Sequence, residues 1–251
     1  MDEAVPVPQK TGTAFDPAEG VMASIGTTSG AIKAAPDFAI CRVSCVMRTL
    51  KIIEHISLDG VIQVSDDDDD FPYGDWTAPY RTPAGAEAVM AAHGESFDLL
   101  LGRRTYDVWS GWWPKAPSSP IADSFNAATK FVVTHRPESL EWGPCEGLGP
   151  DLVEGIRRLK SQGSRDLILW GSSTLTSTVL ERGLADEVVL IVSPVLLGTG
   201  KRFFADGTPA RSFELVSTNA MLSGVILSVY KVIGPLKTGI QVRRIEEDRC
   251  R

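Results

Sequence analysis

The sequence predicts an α/β fold with a mostly parallel central sheet, an antiparallel C-terminal edge and flanking helices. Three observations carry that prediction. Short apolar or β-branched runs alternate with stretches of helical period, two of those runs end in glycine directly before a helix, and the last two meet at Ser223-Gly224 as a hairpin would.

Taken in order, Thr49 to Ile56 reads as the first strand. Ala84 to Ala92 follows as a helix with Pro83 near its first turn, and Phe97 to Leu101 as a strand. A helix over Arg104 to Trp112 stops at Pro114, a shorter one covers Ile121 to Ala128, and the β-branched stretch Lys130 to Thr134 is a strand. Asp151 to Gln162 carries apolar residues at 152, 153, 156 and 159 with Gly163 behind it, a helix with its stop signal. Strand 166–170, helix 173–182, strand 187–193 and two closing strands near 212–219 and 224–233 complete the pattern.

Composition bounds the rest. The chain has 251 residues, enough to bury a sizeable core. Residues 1–46 are rich in Ala, Gly, Ser, Thr and Pro and lack a sustained hydrophobic period, which predicts a poorly ordered arm or an upstream extension of the reading frame. The working domain is expected over 47–234, with a charged tail at 235–251. The arm has neither the basic start nor the apolar core of a secretory signal, and no apolar run approaches the roughly 20 residues of a membrane span. A net charge of −7 argues against a nucleic-acid surface. Cys41, Cys45, Cys145 and Cys250 are irregularly spaced, giving no disulfide framework and no zinc pattern, so the reducing cytoplasm is the expected compartment and no metal is expected. The aspartate run Asp66 to Asp70 lacks the spaced ligands and central glycine of a calcium loop and reads as a solvated loop.

The chemistry concentrates where strands end in glycine. In Asp98 to Trp109 a buried apolar run stops at Gly102, and the residues after it place free backbone N–H groups, the Thr105 hydroxyl and the guanidinium groups of Arg103 and Arg104 at one helix N-terminus. The second junction, Gly171-Ser172-Ser173-Thr174, repeats the arrangement after Leu167 to Trp170. Neither is a G-x-G-x-x-G fingerprint or a P-loop, and such turns also serve packing alone; two in one domain point to a dinucleotide.

The turns after successive strands carry a family resemblance. Ser57-Leu58-Asp59-Gly60, Gly102-Arg103-Arg104-Thr105, Thr134-His135-Arg136 and Gly171-Ser172-Ser173-Thr174, in that order, resemble the dihydrofolate reductase-like fold. With Gly183 to Glu187 and Ser193 to Gly200, the chain looks more closely like the C-terminal reductase domain of the bifunctional riboflavin-biosynthesis deaminase-reductase, over about 48–234. The resemblance implies NADPH and hydride transfer. Gly102 to Thr105 and Gly171 to Thr174 would hold the pyrophosphate, while Arg103 or Arg104 and the Thr134–Arg136 loop, His135 included, would reach the 2′-phosphate. Arg136 and His135 could equally be surface residues. Ser57 and Asp59 would lie beside the nicotinamide, Asp59 as a catalytic, substrate-binding or loop-positioning residue.

Departures from the family matter for the substrate. The carboxylate that dihydrofolate reductases carry on the first helix has only Glu87 near its place, a catalytic candidate that could also face solvent. The Glu-Gly-Gly of the riboflavin-pathway reductase is replaced by Trp170-Gly171-Ser172, and the zinc deaminase half has no counterpart, since no Pro-Cys-x-x-Cys occurs to complete a ligand set with the lone His93-Gly94-Glu95. Phe71, Tyr73, Trp76, Tyr80, Trp109, Trp112 and Trp113 suit either the stacking of a flat heterocycle, with Trp76 and Trp109 as substrate contacts, or a core or dimer interface. The expectation is therefore an NADPH-dependent reductase acting on a small heterocycle or ribosylated pyrimidine. 5-Amino-6-(5-phosphoribosylamino)uracil reductase-type activity leads, with dihydrofolate reductase-type activity and a non-catalytic nucleotide-binding sensor or scaffold as alternatives. The acid is expected to be water, and the resemblance leaves room for a homodimer.

Overall fold

The computed structural model describes residues 47–64 and 71–239. The predicted arm, the Asp66–Asp70 run and residues 240–251 of the predicted tail lie outside them. Eight strands, β1 (Leu50–Ile56), β2 (Phe97–Gly102), β3 (Lys130–Val133), β4 (Cys145–Leu148), β5 (Asp166–Trp170), β6 (Glu187–Val192), β7 (Arg211–Ala220) and β8 (Ile226–Pro235), form one sheet in the order β4-β3-β2-β5-β1-β6-β8-β7. The first six in that order run parallel, and β8 and β7 close it antiparallel. Five helices flank it: α1 (Pro83–His93), α2 (Arg103–Trp112), α3 (Pro120–Ala127), α4 (Leu152–Ser161) and α5 (Ser173–Glu181).

Both faces of the parallel sheet are covered, which is why its central strands read as near-continuous apolar runs. The two-residue period of β1 sends Ile52 to one face and Ile53 to the other. Ile52 joins Leu100, Leu169 and the α4 and α5 residues Ile156, Leu159, Leu175 and Val179. Ile53 joins Leu99, Leu101 and Trp170 with Val89 of α1, Tyr106 of α2 and Phe125 of α3. Caps fix the helix starts: Thr82 accepts from the Gly85 amide, Ser119 from Ala122 and Asp151 from Glu154, each satisfying one orphan donor. His93, fully buried at the end of α1, accepts from the Trp170 indole at 3.0 Å through Nε2 and meets the Val89 carbonyl at 2.7 Å through Nδ1, so a neutral ring fits with its proton on Nδ1.

The N-terminal ends of the parallel strands are pinned by ion pairs. Arg48 pairs with Asp98, Lys51 with Asp166 at 2.9 Å, and Lys160 with Asp186, whose carboxylate also accepts the Leu50 amide at 2.7 Å.

Every predicted element is present, with bounds shifted by a residue or two. One strand was not predicted. β4, Cys-Glu-Gly-Leu, is four residues long, half exposed, and exists through its register with β3, Lys130↔Cys145 to Val133↔Leu148. Its Gly147 lets Pro137 approach, since a Cβ there would stand 2.6 Å from the Pro137 Cβ. The hairpin turn falls where expected, with Gly224 at φ +85° and the Met221 amide bonded to the Val225 carbonyl at 2.8 Å.

Candidate active site

The order of the sheet creates a crevice. β2 leads outward to its neighbour β3, whereas β5, beside β2, leads across β1 to β6; connections therefore diverge at the carboxyl ends of β2 and β5, where α/β sheets bind ligands. A cavity of about 1000 Å³ opens there. It reaches from the N-termini of α2 and α5, past the ends of β1 and β6, to α1 and the β7–β8 turn.

The two glycine junctions interlock. A Cβ at Gly102 would stand 3.1 Å from the Ser172 side chain, and one at Gly171 would stand 2.9 Å from Thr105 Oγ1. Gly171 has φ +65°, and Ser172, at φ 61° and ψ 82°, holds the left-handed conformation that side chains disfavour. The reward is local: Ser172 Oγ accepts from the Leu175 amide at 3.3 Å and caps α5. Two helix N-termini thus face one cavity across backbone that carries no side chain at its tightest points. Such an arrangement has the features of an anion site.

One wall is aromatic. Trp109 stacks on Phe125 at 5.1 Å with planes 16° apart, Trp113 packs edge-on to Phe125 at 4.8 Å, and His55 stacks on Trp170 at 5.9 Å. This surface suits a flat ring. Beyond it stands Asp75, which accepts from Arg81 at 2.7 Å and from Thr77 at 2.8 Å.

Gly102, Arg103, Arg104, Thr105, Trp109, Gly171, Ser172, Ser173 and Thr174 all line the cavity as expected from the sequence. The Arg103 guanidinium is already engaged, holding Asp107 at 2.9 Å, Ser139 Oγ at 2.6 Å and the Arg136 carbonyl at 3.2 Å, so it ties α2 to the loop after β3. Thr134, His135 and Arg136 lie in that loop outside the cavity lining, the last two exposed.

Four other expected residues stand apart. Glu87 is on the exposed side of α1, which turns Gly85, Ala86 and Val89 to the cavity. Asp59 is not in the lining; its carboxylate accepts from Ser57 Oγ at 2.7 Å and from the Leu197 and Gly198 amides at 3.1 and 2.8 Å. The Ser57 hydroxyl first, and those amides after it, hold Asp59 down at about 2, which makes it a clip between two loops. Ser57, 2% exposed, serves the same clip and accepts from the Val61 amide. Trp76 packs with Val61 and Phe71, its indole donating to the Gln63 carbonyl at 2.6 Å.

Of the cavity residues that escaped the sequence reading, Asp75, Thr77 and Arg81 among them, two bear most on the chemistry. Glu54 and His55 sit near the carboxyl end of β1, one of the two central strands of the sheet. Glu54 is 7% exposed; Oε1 accepts from the His55 amide at 3.1 Å and Oε2, wholly buried, has no hydrogen-bond partner. Burial raises it to about 8, an effect that the His55 and Gly171 amides only partly offset. His55, with a buried and unpartnered Nδ1, is lowered to about 4 by burial and by the nearby Arg81 charge, and is neutral at pH 7. The signal was available: a Glu-His pair inside Leu-Lys-Ile-Ile-Glu-His-Ile has to be buried if that run is a central strand, and a buried acid is uncommon without a role.

Comparisons with known proteins agree with the architecture. Residues 145–227 match the model of the RibD C-terminal domain family. An uncharacterized Bacillus subtilis (strain 168) protein, YyaP, is 27% identical over 136 residues, 53% of this chain and 72% of that one. Among solved structures, a Shewanella sp. PV-4 protein assigned to riboflavin biosynthesis has 23% identity and a TM-score of 0.56, covering 74% of this chain and 99% of its own. Acinetobacter baumannii RibD has 19% identity and a TM-score of 0.53, with 76% of this chain and 59% of that one covered. The Thermotoga maritima diaminohydroxyphosphoribosylaminopyrimidine deaminase/5-amino-6-(5-phosphoribosylamino)uracil reductase has 17% identity and a TM-score of 0.53, with 76% and 58% covered. At these identities the structures show the fold. The match to the RibD C-terminal domain model is confined to residues 145–227, and the expected α/β fold, a mostly parallel sheet with an antiparallel C-terminal edge, holds for the sheet as a whole. No helix among the described residues is long and apolar enough to cross a membrane.

Proposed function

We propose that the protein is an NADPH-dependent reductase of the RibD C-terminal type, acting on a flat heterocycle or ribosylated pyrimidine, with 5-amino-6-(5-phosphoribosylamino)uracil as the leading acceptor. The observation that carries this reading is the pair of interlocked glycine junctions at the switch point of the sheet, where a Cβ on Gly171 would stand 2.9 Å from Thr105. Close backbone approach and two helix N-termini are what a pyrophosphate needs.

Gly102, Thr105 and Gly171 to Thr174 would bind the pyrophosphate, Arg104 would add charge at the α2 terminus, and Arg136, exposed in the loop that Arg103 ties to α2, would meet the 2′-phosphate. When bound, the cofactor supplies a hydride. The chain supplies position. Trp109 and Trp170 would stack the acceptor, Val89 and Ile191 would exclude water beneath it, and the Asp75–Arg81 pair would bind its polar edge. Fluorescence titration with NADPH, followed by its oxidation at 340 nm with 5-amino-6-(5-phosphoribosylamino)uracil, tests the reading. Saturable binding with turnover is expected. Binding without turnover across pyrimidine and pterin acceptors would favour a nucleotide sensor, and no binding would refute the assignment.

A further inference from the structure

We infer that Glu54 is the catalytic acid of this cavity, giving its proton to the heteroatom of the acceptor bond that is reduced. The inference rests on the reductase reading and supplies the donor that the sequence did not. Glu54 and Asp75 are the carboxyl groups among the described cavity-lining residues, and they differ in every respect that matters. Asp75 is half exposed and accepts from both Arg81 and Thr77 through Oδ1, an ion pair rather than a lone buried acid. Glu54 is 93% withdrawn from solvent; the His55 and Gly171 amides are its polar neighbours, and Oε2 forms no hydrogen bond of good geometry. A buried acid with one idle oxygen beside a cavity is unfavourable for folding unless a ligand completes it.

The ionisable side chains that share the cavity do not ionise Glu54. They are His55, Asp75, Tyr80, Arg81, Arg103, Arg104 and Lys201. His55 is neutral at pH 7, Asp75, 2.7 Å from Arg81, opposes the effect of that charge on His55, Arg103 is held by Asp107, and the influences on Glu54 are burial and the His55 and Gly171 amides. Burial remains the main influence on Glu54, raising it to about 8, so its carboxyl is protonated at pH 7. A neutral carboxyl donates, which is the capacity a reductase needs opposite a developing anion.

The reaction balances as follows. The carbon of a C=N or C=O bond in the acceptor takes a hydride, with its two electrons, from a reduced nicotinamide. The π pair of that bond moves to the nitrogen or oxygen, the Glu54 O–H bond breaks, and the heteroatom takes the proton. The oxidised nicotinamide and reduced product leave, and water returns a proton to the carboxylate.

The test combines a titration with kinetics. Carbon-13 NMR of carboxyl-labelled glutamate in the full chain, with the Glu54 signal assigned by its loss in Glu54→Gln, should show a group titrating near 8. With NADPH and 5-amino-6-(5-phosphoribosylamino)uracil, wild-type kcat should fall above that pH. Glu54→Gln should lose roughly 10²–10⁴-fold in kcat with a flat profile and a much smaller change in NADPH affinity. Glu54→Asp, which keeps the acid, should recover part of the rate and restore the pH dependence. A Glu54 signal titrating in the ordinary carboxylate range, or a Glu54→Gln protein with wild-type kcat and profile, would overturn the inference. Loss of NADPH binding by the wild type would instead remove the reductase reading on which it rests.

Discussion

Replacing Glu54 with glutamine should stabilise the fold at neutral pH, and the gain should vanish in acid. In the unfolded chain the carboxyl ionises near 4.5, whereas the native state keeps its proton until about 8. Between those values the native state binds more protons, so the favourable contribution is complete below 4.5 and is lost progressively as pH rises to about 8. Each pH unit in that window costs about 1.4 kcal/mol, which accumulates to about 3 kcal/mol at pH 7 and about 5 kcal/mol at its upper end. Glutamine has the same shape and no proton to lose. For a domain of this size the difference at pH 7 corresponds to a rise in Tm on the order of 6–12 °C. Urea denaturation of both proteins at intervals from pH 4.5 to 8.5 measures it directly. A stability difference that does not change with pH would mean that Glu54 ionises normally, and the reasoning would fail.

Other expectations follow from the same structure. Burial lowers His55 and His93 to about 4, so the unfolded state binds more protons below 6.5 and their contribution is lost as pH falls from there; opposed to the Glu54 limb, this places maximum stability near pH 6.5, which a Tm series over pH 4.5–8.5 will show or refute. Gly171→Val should stay folded by circular dichroism yet lose NADPH binding, because φ is +65° and a Cβ meets Thr105 at 2.9 Å; normal binding by the folded variant would reduce this junction to a packing turn. Calorimetry should find NADPH preferred over NADH by more than about tenfold. Arg136→Ala should narrow that gap without a change in Tm, whereas Arg103→Ala should also lower Tm, since Arg103 holds the loop after β3; equal cofactor affinities in the wild type would dispose of both roles. Ser172→Gly should raise stability by about 0.5–1 kcal/mol in a urea titration, the relief of left-handed strain exceeding the loss of a weak cap; a destabilised variant would show that the cap dominates.

The sequence made the architecture legible because its central strands are buried on both faces and so carry an unbroken apolar signal, while glycines and prolines mark the boundaries. β4 was hidden for the opposite reason: Cys145 to Leu148 has no period of its own and is made a strand by pairing with β3. In the site, Gly102, Gly171 and their helix starts were readable because backbone geometry dictates the residue type. Asp59 was not, since an Asp-Gly turn after a strand reads alike whether its carboxylate faces a ligand or, as here, the Leu197 and Gly198 amides. Glu54 was passed over because strand pattern alone does not say that β1 lies between β5 and β6, and only that position makes its acid an interior one.

That position also governs how the chain emerges from the ribosome. β1 precedes both of its neighbours in synthesis: Leu50 waits for Leu167, and Lys51 for Glu187. At ordinary elongation rates the nascent strand is exposed for on the order of 5–20 s before β5 exists to receive it. β2 and β3 face no such delay with each other. During that wait Leu50–Ile56 is a sticky segment interrupted by Lys51, Glu54 and His55, and Glu54 is ionised at neutral pH in the unfolded chain. The same carboxyl that would deliver a proton in the finished cavity would, with Lys51, keep the waiting strand charged against self-association, and would give up that charge on entering the sheet.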